Sequence, residues 1–340
     1  MLKEWLKIKW KYLKGLLIAY REREDIKLTK KKQAYVMLAA NYNNLGDIAI
    51  TKAQEEFLKH NLSNDYEIIV VPHDKTYQKY LSIKKYANKD TIITLIGGGN
   101  SGSLYEFIEE PRRFILKFFK KYKIVSFPQS IVYEKQKIIY QKEFVKLCKK
   151  CTNLTLIARE QISYKRYNKL LGKSAKILLT PDIVFTLNVN IEDKKRCGAS
   201  YIFRNDKEKD ISDGTQKKLI NICDELYSDR SFNDTCDVRI KENGYTELKR
   251  FISDISKREL VVTDRLHGMI LSYISNTPCI ALDNNNHKIK STYETWLNNQ
   301  TLIFMSNDLE QINEYLKEKT VGKREEMDVQ FEALRNILCK

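Results

Sequence analysis

Leu260-Val261-Val262-Thr263-Asp264-Arg265-Leu266-His267-Gly268 reads as a short buried strand that runs straight into a helix. An apolar run of this length, bounded by a polar turn, suits a strand covered on both faces. Asp264 is placed to cap the helix. Arg265, Leu266 and His267 then fill the first turn, where the helix dipole favours an anion. Arginine adds a fork that fits phosphate or carboxylate. Histidine exchanges a proton near neutral pH. The same residues also suit a structural end, with Arg265 paired to a carboxylate and His267 donating within the core.

On both sides of this segment, apolar bursts alternate with amphipathic helical stretches. Upstream, strands are expected at Ala34–Ala39, Glu67–Val71, Thr91–Ile96, Ile124–Phe127 (closed by Pro128) and Leu154–Ala158. The pattern restarts after a polar stretch from Pro181 to Arg196, with strands at Ala199–Phe203, Cys236–Ile240, Leu260–Thr263 and Cys279–Leu282. Such alternation predicts an α/β protein with parallel sheets and helices on both faces. The expected division is a basic arm over 1–33, Rossmann-like domains over 34–190 and 197–305, and a helical tail over 306–340. Two such domains in tandem are expected to face each other across a cleft.

Open α/β sheets bind ligands at the carboxyl ends of their strands. Three more loops fall there. Asn44-Leu45-Gly46-Asp47 follows the first strand and opens a helix, so it reads as a close-approach glycine, an Asp47 cap, or both. Gly97-Gly98-Gly99-Asn100-Ser101-Gly102 lacks a nucleotide fingerprint, yet its glycines suit a floor for a ligand or a simple turn. Asp283-Asn284-Asn285-Asn286-His287-Lys288 adds polar and basic groups after another strand, where a capped turn is the plain alternative.

The net charge of +16 calls for an anionic partner without choosing among nucleic acid, acidic lipid and a phosphorylated substrate. Residues 1–33 hold 11 Lys/Arg against 4 Asp/Glu. There Leu2, Trp5, Leu6, Leu13, Leu16, Leu17 and Tyr20 share a helical face opposite Lys3, Lys7, Lys11 and Lys14, with Lys9 interrupting the apolar stripe. That pattern fits a membrane-surface helix on an anionic bilayer over residues 1–20, or a helix docked on the protein's own core. No signal peptide or membrane span is expected, which places the chain in the cytoplasm, at most peripheral on the inner face of the cell membrane. Seven irregularly spaced cysteines fit reduced thiols, and Cys148-Lys149-Lys150-Cys151 has no second pair to complete a zinc site.

Taken in order, these segments resemble the polysaccharide pyruvyl transferase family. The likeness runs from Asn44-Leu-Gly-Asp47 through Gly97-Gly-Gly-Asn100, Phe127-Pro-Gln129-Ser130, Ala158-Arg159-Glu160 and Pro181-Asp182. It continues through Thr263-Asp-Arg-Leu-His267-Gly268 to Asp283-Asn284 with His287-Lys288, covering about residues 34–300. The resemblance implies two Rossmann-like domains similar to GT-B glycosyltransferases. It also implies transfer of a pyruvyl group from phosphoenolpyruvate to two hydroxyls of one sugar, with no cofactor or metal. Arg265, Leu266, His267 and, by position, Arg204 would bind the donor. His267 and Asp47 would act catalytically. Asn44, Gly46, Gly98, Gly99, Asn100, Gln129, Asn284, His287 and Lys288 would line the cleft and acceptor loops. The acceptor would be a sugar, lipid-linked or otherwise, in exopolysaccharide, capsule or cell-wall glycan synthesis. Two rivals remain: a GT-B-type glycosyltransferase using a nucleotide sugar, and a basic nucleic-acid-binding protein. The second lacks a recognisable motif or a basic stripe with stacking aromatics, so no nucleic-acid partner is expected.

Overall fold

The computed structural model describes residues 2–189, 195–206, 208–236, 240–318 and 322–339, the side chains of 240–242 excepted. In chain order the elements begin with α1 (Leu2–Arg21), β1 (Lys32–Ala39), α2 (Leu45–Asn61), β2 (Tyr66–Pro72) and α3 (Tyr80–Tyr86). They continue with β3 (Ile92–Leu95), β4 (Gly98–Gly102), α4 (Glu106–Phe118), β5 (Lys123–Val132), α5 (Ile138–Cys148), β6 (Asn153–Ala158), α6 (Gln161–Leu171) and β7 (Lys176–Leu179). Then come β8 (Ala199–Ile202), α7 (Asp213–Asp224), β9 (Arg230–Asn233), α8 (Ile240–Ser256) and β10 (Leu260–Thr263). The last are α9 (Leu266–Ile274), β11 (Cys279–Ala281), α10 (Lys288–Trp296), β12 (Ile303–Met305), α11 (Leu309–Glu318) and α12 (Glu332–Cys339).

Two parallel sheets result, as the alternation of elements predicts. The first runs β2-β1-β3-β5-β6-β7, with β4 continuing beside the carboxyl half of β5. The second runs β12-β11-β10-β8-β9. Central strands β3, β8, β10 and β11 are buried along their whole length, which explains why they are mostly apolar with no alternating polar face. In each sheet the chain first adds a strand on one side of its first strand and then crosses to the other side. That reversal sets the switch point between β1 and β3 in the first sheet and between β8 and β10 in the second. Ligands of doubly wound sheets collect at such points.

Packing divides the chain into two compact units. One holds Met1–Asn41, Ile50–Ile183 and Gln330–Lys340; the other holds Tyr42–Ala49 and Val184–Val329. These bounds differ from the expected ones in three places. The 1–33 arm and the end of the tail belong to the first unit, because Ile8, Tyr12, Phe331, Leu334 and Leu338 are buried there. Tyr42–Ala49 belongs to the second unit although it follows β1.

Local readings also shift. Strand β5 does not stop at Pro128 but passes through it, with a register irregularity between Ser126 and Gln129. Such an irregularity accommodates a residue that has no N–H for the ladder. The glycine run is not a loop: Gly98–Gly102 pairs with β5, and Gly98 and Gly102 take φ of 106° and 112°. A strand expected at Cys236–Ile240 lies largely on 237–239, outside the described residues. The described strand of that region is β9.

Candidate active site

Within the second unit the carboxyl ends of β8 and β10 bring Arg204 and Asp264 together. The Arg204 N–H donates to Asp264 Oδ1 at 2.8 Å. Asp264 therefore does not cap α9, as the sequence suggested. Thr263 Oγ1 takes the Arg265 N–H at 3.0 Å, so the chain stays extended through Arg265, and α9 starts at Leu266 with no side-chain cap. Gly268 is required at this turn, since a Cβ there would sit 2.3 Å from Thr263 Oγ1.

Both arginines are buried and turn toward the same acid. Arg204 donates through Nε to Asp206 Oδ1 at 2.8 Å and through Nη2 to Asp206 Oδ2 at 3.2 Å. Arg265 Nη1 donates to the same Oδ2 at 3.0 Å. Arg204 also reaches Glu208 at 2.6 Å, and Arg265 reaches Asp234 at 2.8 Å. Lys288 Nζ lies 3.7 Å from Glu208. Three cations thus meet three carboxylates. Burial raises the Asp206 carboxyl, but the hydrogen bonds from Arg204 and the Glu208 N–H, with the charges of both arginines, together outweigh it and hold Asp206 below the usual carboxylate range. Asp264 goes the other way: burial pushes it up to about 6 despite both arginines, and its Oδ2 is enclosed without a hydrogen-bond partner.

His267 sits half-buried in the first turn of α9 against the loop after β1. A Cβ on Gly46 would lie 2.1 Å from His267 Nδ1. Gly46 is thus the contact that lets Asn44–Asp47 close on the histidine. Two further contacts hold that loop. The Leu45 N–H donates to the Thr235 carbonyl at 2.7 Å, and Ile48 packs on the bare backbone of Gly244. Asn44 supplies the helix cap expected of Asp47, its Oδ1 accepting from the Gly46 and Asp47 N–H groups at 3.0 and 3.3 Å. That leaves the Asp47 carboxylate half-buried, accepting from the Tyr42 hydroxyl at 3.0 Å. Asp47, Asp234 and Arg265 all act electrostatically on the Cys236 thiol, which burial pushes up, so these groups share one neighbourhood.

After β11, buried Asn284 leaves its Oδ1 without a hydrogen-bond partner. His287 takes a left-handed φ of 55° at the start of α10, with Nδ1 2.6 Å from Asp283 Oδ2. A cavity of about 530 Å³ adjoins Arg204 and Asp234, walled by Phe203, Tyr201 and Phe232 in stacked array and by Asn205, Lys209, Gln216 and Lys217. Sequence reasoning did not find Asp206, Glu208, Asp234 or this aromatic wall. A cluster of acids close to Arg204 was the available signal.

In the first unit, Asn100 and Gln129 point into the protein. Asn100 O accepts from Arg112 at 3.0 Å, and Gln129 Nε2 donates to Asn100 Oδ1 at 3.3 Å and to the Ile96 carbonyl. They fix the Gly98–Gly99 segment from behind. Arg159 and Asp182, both buried, form an ion pair at 2.7 Å that ties the end of β6 to the segment after β7. Glu160 accepts from the Ser163 N–H and caps α6. Cys148 and Cys151 carry thiols that burial pushes up, the second to about 11, which makes them poor nucleophiles at neutral pH.

Residues 44–286 match the polysaccharide pyruvyl transferase family. The chain belongs to that family. The match spans the loop Asn44–Asp47 through Asn286, so it includes every element of the cluster just described except His287 and Lys288. General stress protein 30 of Bacillus subtilis is 31% identical, with 94% of each chain covered. Pyruvyl transferase 1 of Schizosaccharomyces pombe is 27% identical over 77% of this chain and 69% of its own. A solved structure of an uncharacterized protein from Klebsiella pneumoniae aligns with 88% of this chain and 98% of its own, at a TM-score of 0.54 and 20% identity, which supports the fold alone. As a pyruvyl-transferase-family enzyme, the chain has phosphoenolpyruvate as the implied donor and a sugar as the implied acceptor.

Proposed function

We propose that the enzyme transfers the pyruvyl group of phosphoenolpyruvate to two hydroxyls of one sugar, giving a cyclic ketal and phosphate. The acceptor belongs to a bacterial exopolysaccharide, capsule or cell-wall glycan, and the enzyme works in the cytoplasm on the inner face of the cell membrane. The observation that supports this best is the convergence of Arg204 and Arg265 on the Asp206 carboxylate. Two buried guanidiniums gripping one carboxylate make a seat for a second anion of the same shape, and phosphoenolpyruvate carries both a carboxylate and a phosphate. The uncapped start of α9 adds positive potential beside them.

His267 delivers a proton to the methylene carbon of phosphoenolpyruvate, which leaves an oxocarbenium-like centre at C2. One sugar hydroxyl adds there and gives up its proton to Asp47. The C2–O bond to phosphate then breaks, and the second hydroxyl closes the ring, its proton leaving with phosphate or solvent. Asp264 positions Arg204 through the backbone bond between them. Leu266 covers the donor. Asn44 and Gly46 keep Asp47 and His267 in register, while Asn284, His287 and Lys288 complete the polar lining. In the first unit the Gly98–Gly99 backbone, shaped by Asn100 and Gln129, is the proposed acceptor surface.

The test is phosphate release from phosphoenolpyruvate in the presence of candidate acceptors. General acid catalysis contributes about 10²–10⁴-fold, so His267→Ala should lose that much turnover while still binding phosphoenolpyruvate. Near-wild-type turnover in that variant, or consumption of a nucleotide sugar by the wild type in place of phosphoenolpyruvate, would refute the proposal.

A further inference from the structure

Helix α1 docks on the first unit through a face that neither sequence reading singled out. Its buried residues are Ile8, Tyr12, Gly15 and Ala19. Gly15 lets the helix come so close to Tyr77 and Phe114 that an added Cβ would lie 2.7 and 2.9 Å from them. Tyr12 donates to Glu143 at 3.2 Å, and Lys11 reaches Glu106 and Glu110 at 3.1 and 2.8 Å. Lys11 is thereby engaged with the protein's own acids.

Docking by that face leaves the apolar stripe outside. Leu2, Leu6, Trp10, Leu13, Leu17 and Tyr20 follow at intervals of four, four, three, four and three, which keeps them on one side of a helix. All six are exposed, Trp10 by 60% and Tyr20 by 80%. With Trp5 they make up seven of the fifteen exposed large apolar side chains among the described residues, so the exposure is concentrated on this one helix. The edge of the stripe away from the docked face carries Lys3, Lys7, Lys14 and Arg21, without an acid. The other edge adds lysines of its own: Lys9, Lys146 and Lys150 each push on Lys117, and Glu143, the acid that pulls on it, is buried and accepts from the Tyr12 hydroxyl. No described helix is long and apolar enough to cross a membrane.

We propose that α1 seats the enzyme on an anionic bilayer, lying flat in the headgroup layer with the Leu2–Tyr20 stripe buried and both lysine edges against acidic headgroups. At 1.5 Å per residue the stripe is about 27 Å long, enough for five turns of contact in the plane. Lysines border the stripe on both sides, and the one acid named at the second border, Glu143, is buried behind it, which matches a lipid surface. A protein groove that took the stripe would have to supply acids along both borders. The inference extends the peripheral location proposed above and does not depend on pyruvyl chemistry.

The experiment is sedimentation of the full chain with phosphatidylcholine vesicles and with vesicles one-third phosphatidylglycerol, phosphoenolpyruvate being absent. Pelleting is expected with the acidic vesicles and not with the neutral ones. A Trp10→Ser, Leu13→Ser double variant should stay in the supernatant. Its targets are exposed, so its circular dichroism and its phosphate release with a soluble acceptor should match wild type. Replacing Lys3, Lys7 and Lys14 by Gln should weaken binding by about fivefold per lysine. Equal pelleting of wild type and the serine variant, or no pelleting of either, overturns the proposal. So does a wild-type dimer that the serine substitutions convert to monomer without any vesicle binding, because a second copy would then cover the stripe.

Discussion

Asp206 occupies with its own carboxylate the place that the two arginines would give to a substrate anion. It is 43% exposed on a loop, so a ligand can displace it without unpacking the core. Removing it should free Arg204 and Arg265 for phosphoenolpyruvate. Asp206→Ala is expected to lower the Kd for phosphoenolpyruvate by about tenfold, equal to ~1.4 kcal/mol, in isothermal titration. Weaker binding would mean that Asp206 orders the arginines and does not compete. Asp264 makes a different prediction. Its folded pKa of about 6 stands above the ordinary value of 3.8. For a carboxyl raised by folding, the contribution to stability is complete below about pH 4 and is lost as pH rises through about 6. Two pKa units correspond to roughly 3 kcal/mol. Asp264→Asn keeps an oxygen for the Arg204 N–H and has no charge to bury. Its stability relative to wild type should therefore rise by up to that amount between pH 4 and pH 7, read by hydrogen exchange in β8 and β10. A constant difference across that range would show that folding leaves the Asp264 pKa at its ordinary value. The strand–helix frame of Thr263–Gly268 was legible in sequence, but the roles of Thr263 and Asp264 were not. Either side chain can take a local N–H, and the choice is made by Arg204, about sixty residues upstream.

At the scale of elements, the alternation of apolar runs and amphipathic stretches announced both parallel sheets, because strands covered on two faces have no polar phase to confuse with helix. The start of α2 shows where such reading stops. Asn44-Leu-Gly-Asp47 was visible as a helix opening, yet nothing local says that its first turn joins α8 and α9 and not the sheet that precedes it. That assignment rests on two glycines: Gly46 against His267, more than two hundred residues away, and Gly244 against Ile48. Each leaves no trace in sequence beyond a missing side chain. Gly46→Ala should therefore act on His267. The new methyl must move the ring or the loop, at a cost of about 1–3 kcal/mol in stability. Turnover should fall by at least tenfold, since a displacement of about 1 Å at a reacting group can cost a hundredfold. A thermal melt and phosphate release measured side by side check this. Full activity would show that the imidazole does not need its present seat.

Considered as a whole, the molecule closes its first unit with its last residues. The stretch over 306–340 reads in sequence as one charged, helical tail. In the fold it is two pieces. Helix α11 buries Ile312 and Leu316 in the second unit's core, with Leu219, Tyr227 and Ile280. Helix α12 and the turn before it instead bury Phe331, Leu334 and Leu338 in the first unit, where Phe331 packs on Phe57 at 5.9 Å and Lys123 donates to the Leu338 carbonyl at 3.0 Å. Full burial of a large apolar side chain is worth about 1.5–3 kcal/mol, so three of them stabilise the first unit by roughly 5 kcal/mol or more. Deleting 330–340 should accordingly release hydrogen-exchange protection in β1 and in α2 beyond its first turn. Protection in β8, β10 and α9, together with phosphoenolpyruvate binding by Arg204 and Arg265, should persist. Loss of donor binding in that deletion would mean that the arginine seat depends on an intact first unit, and the donor site would then have to be assigned to the whole chain.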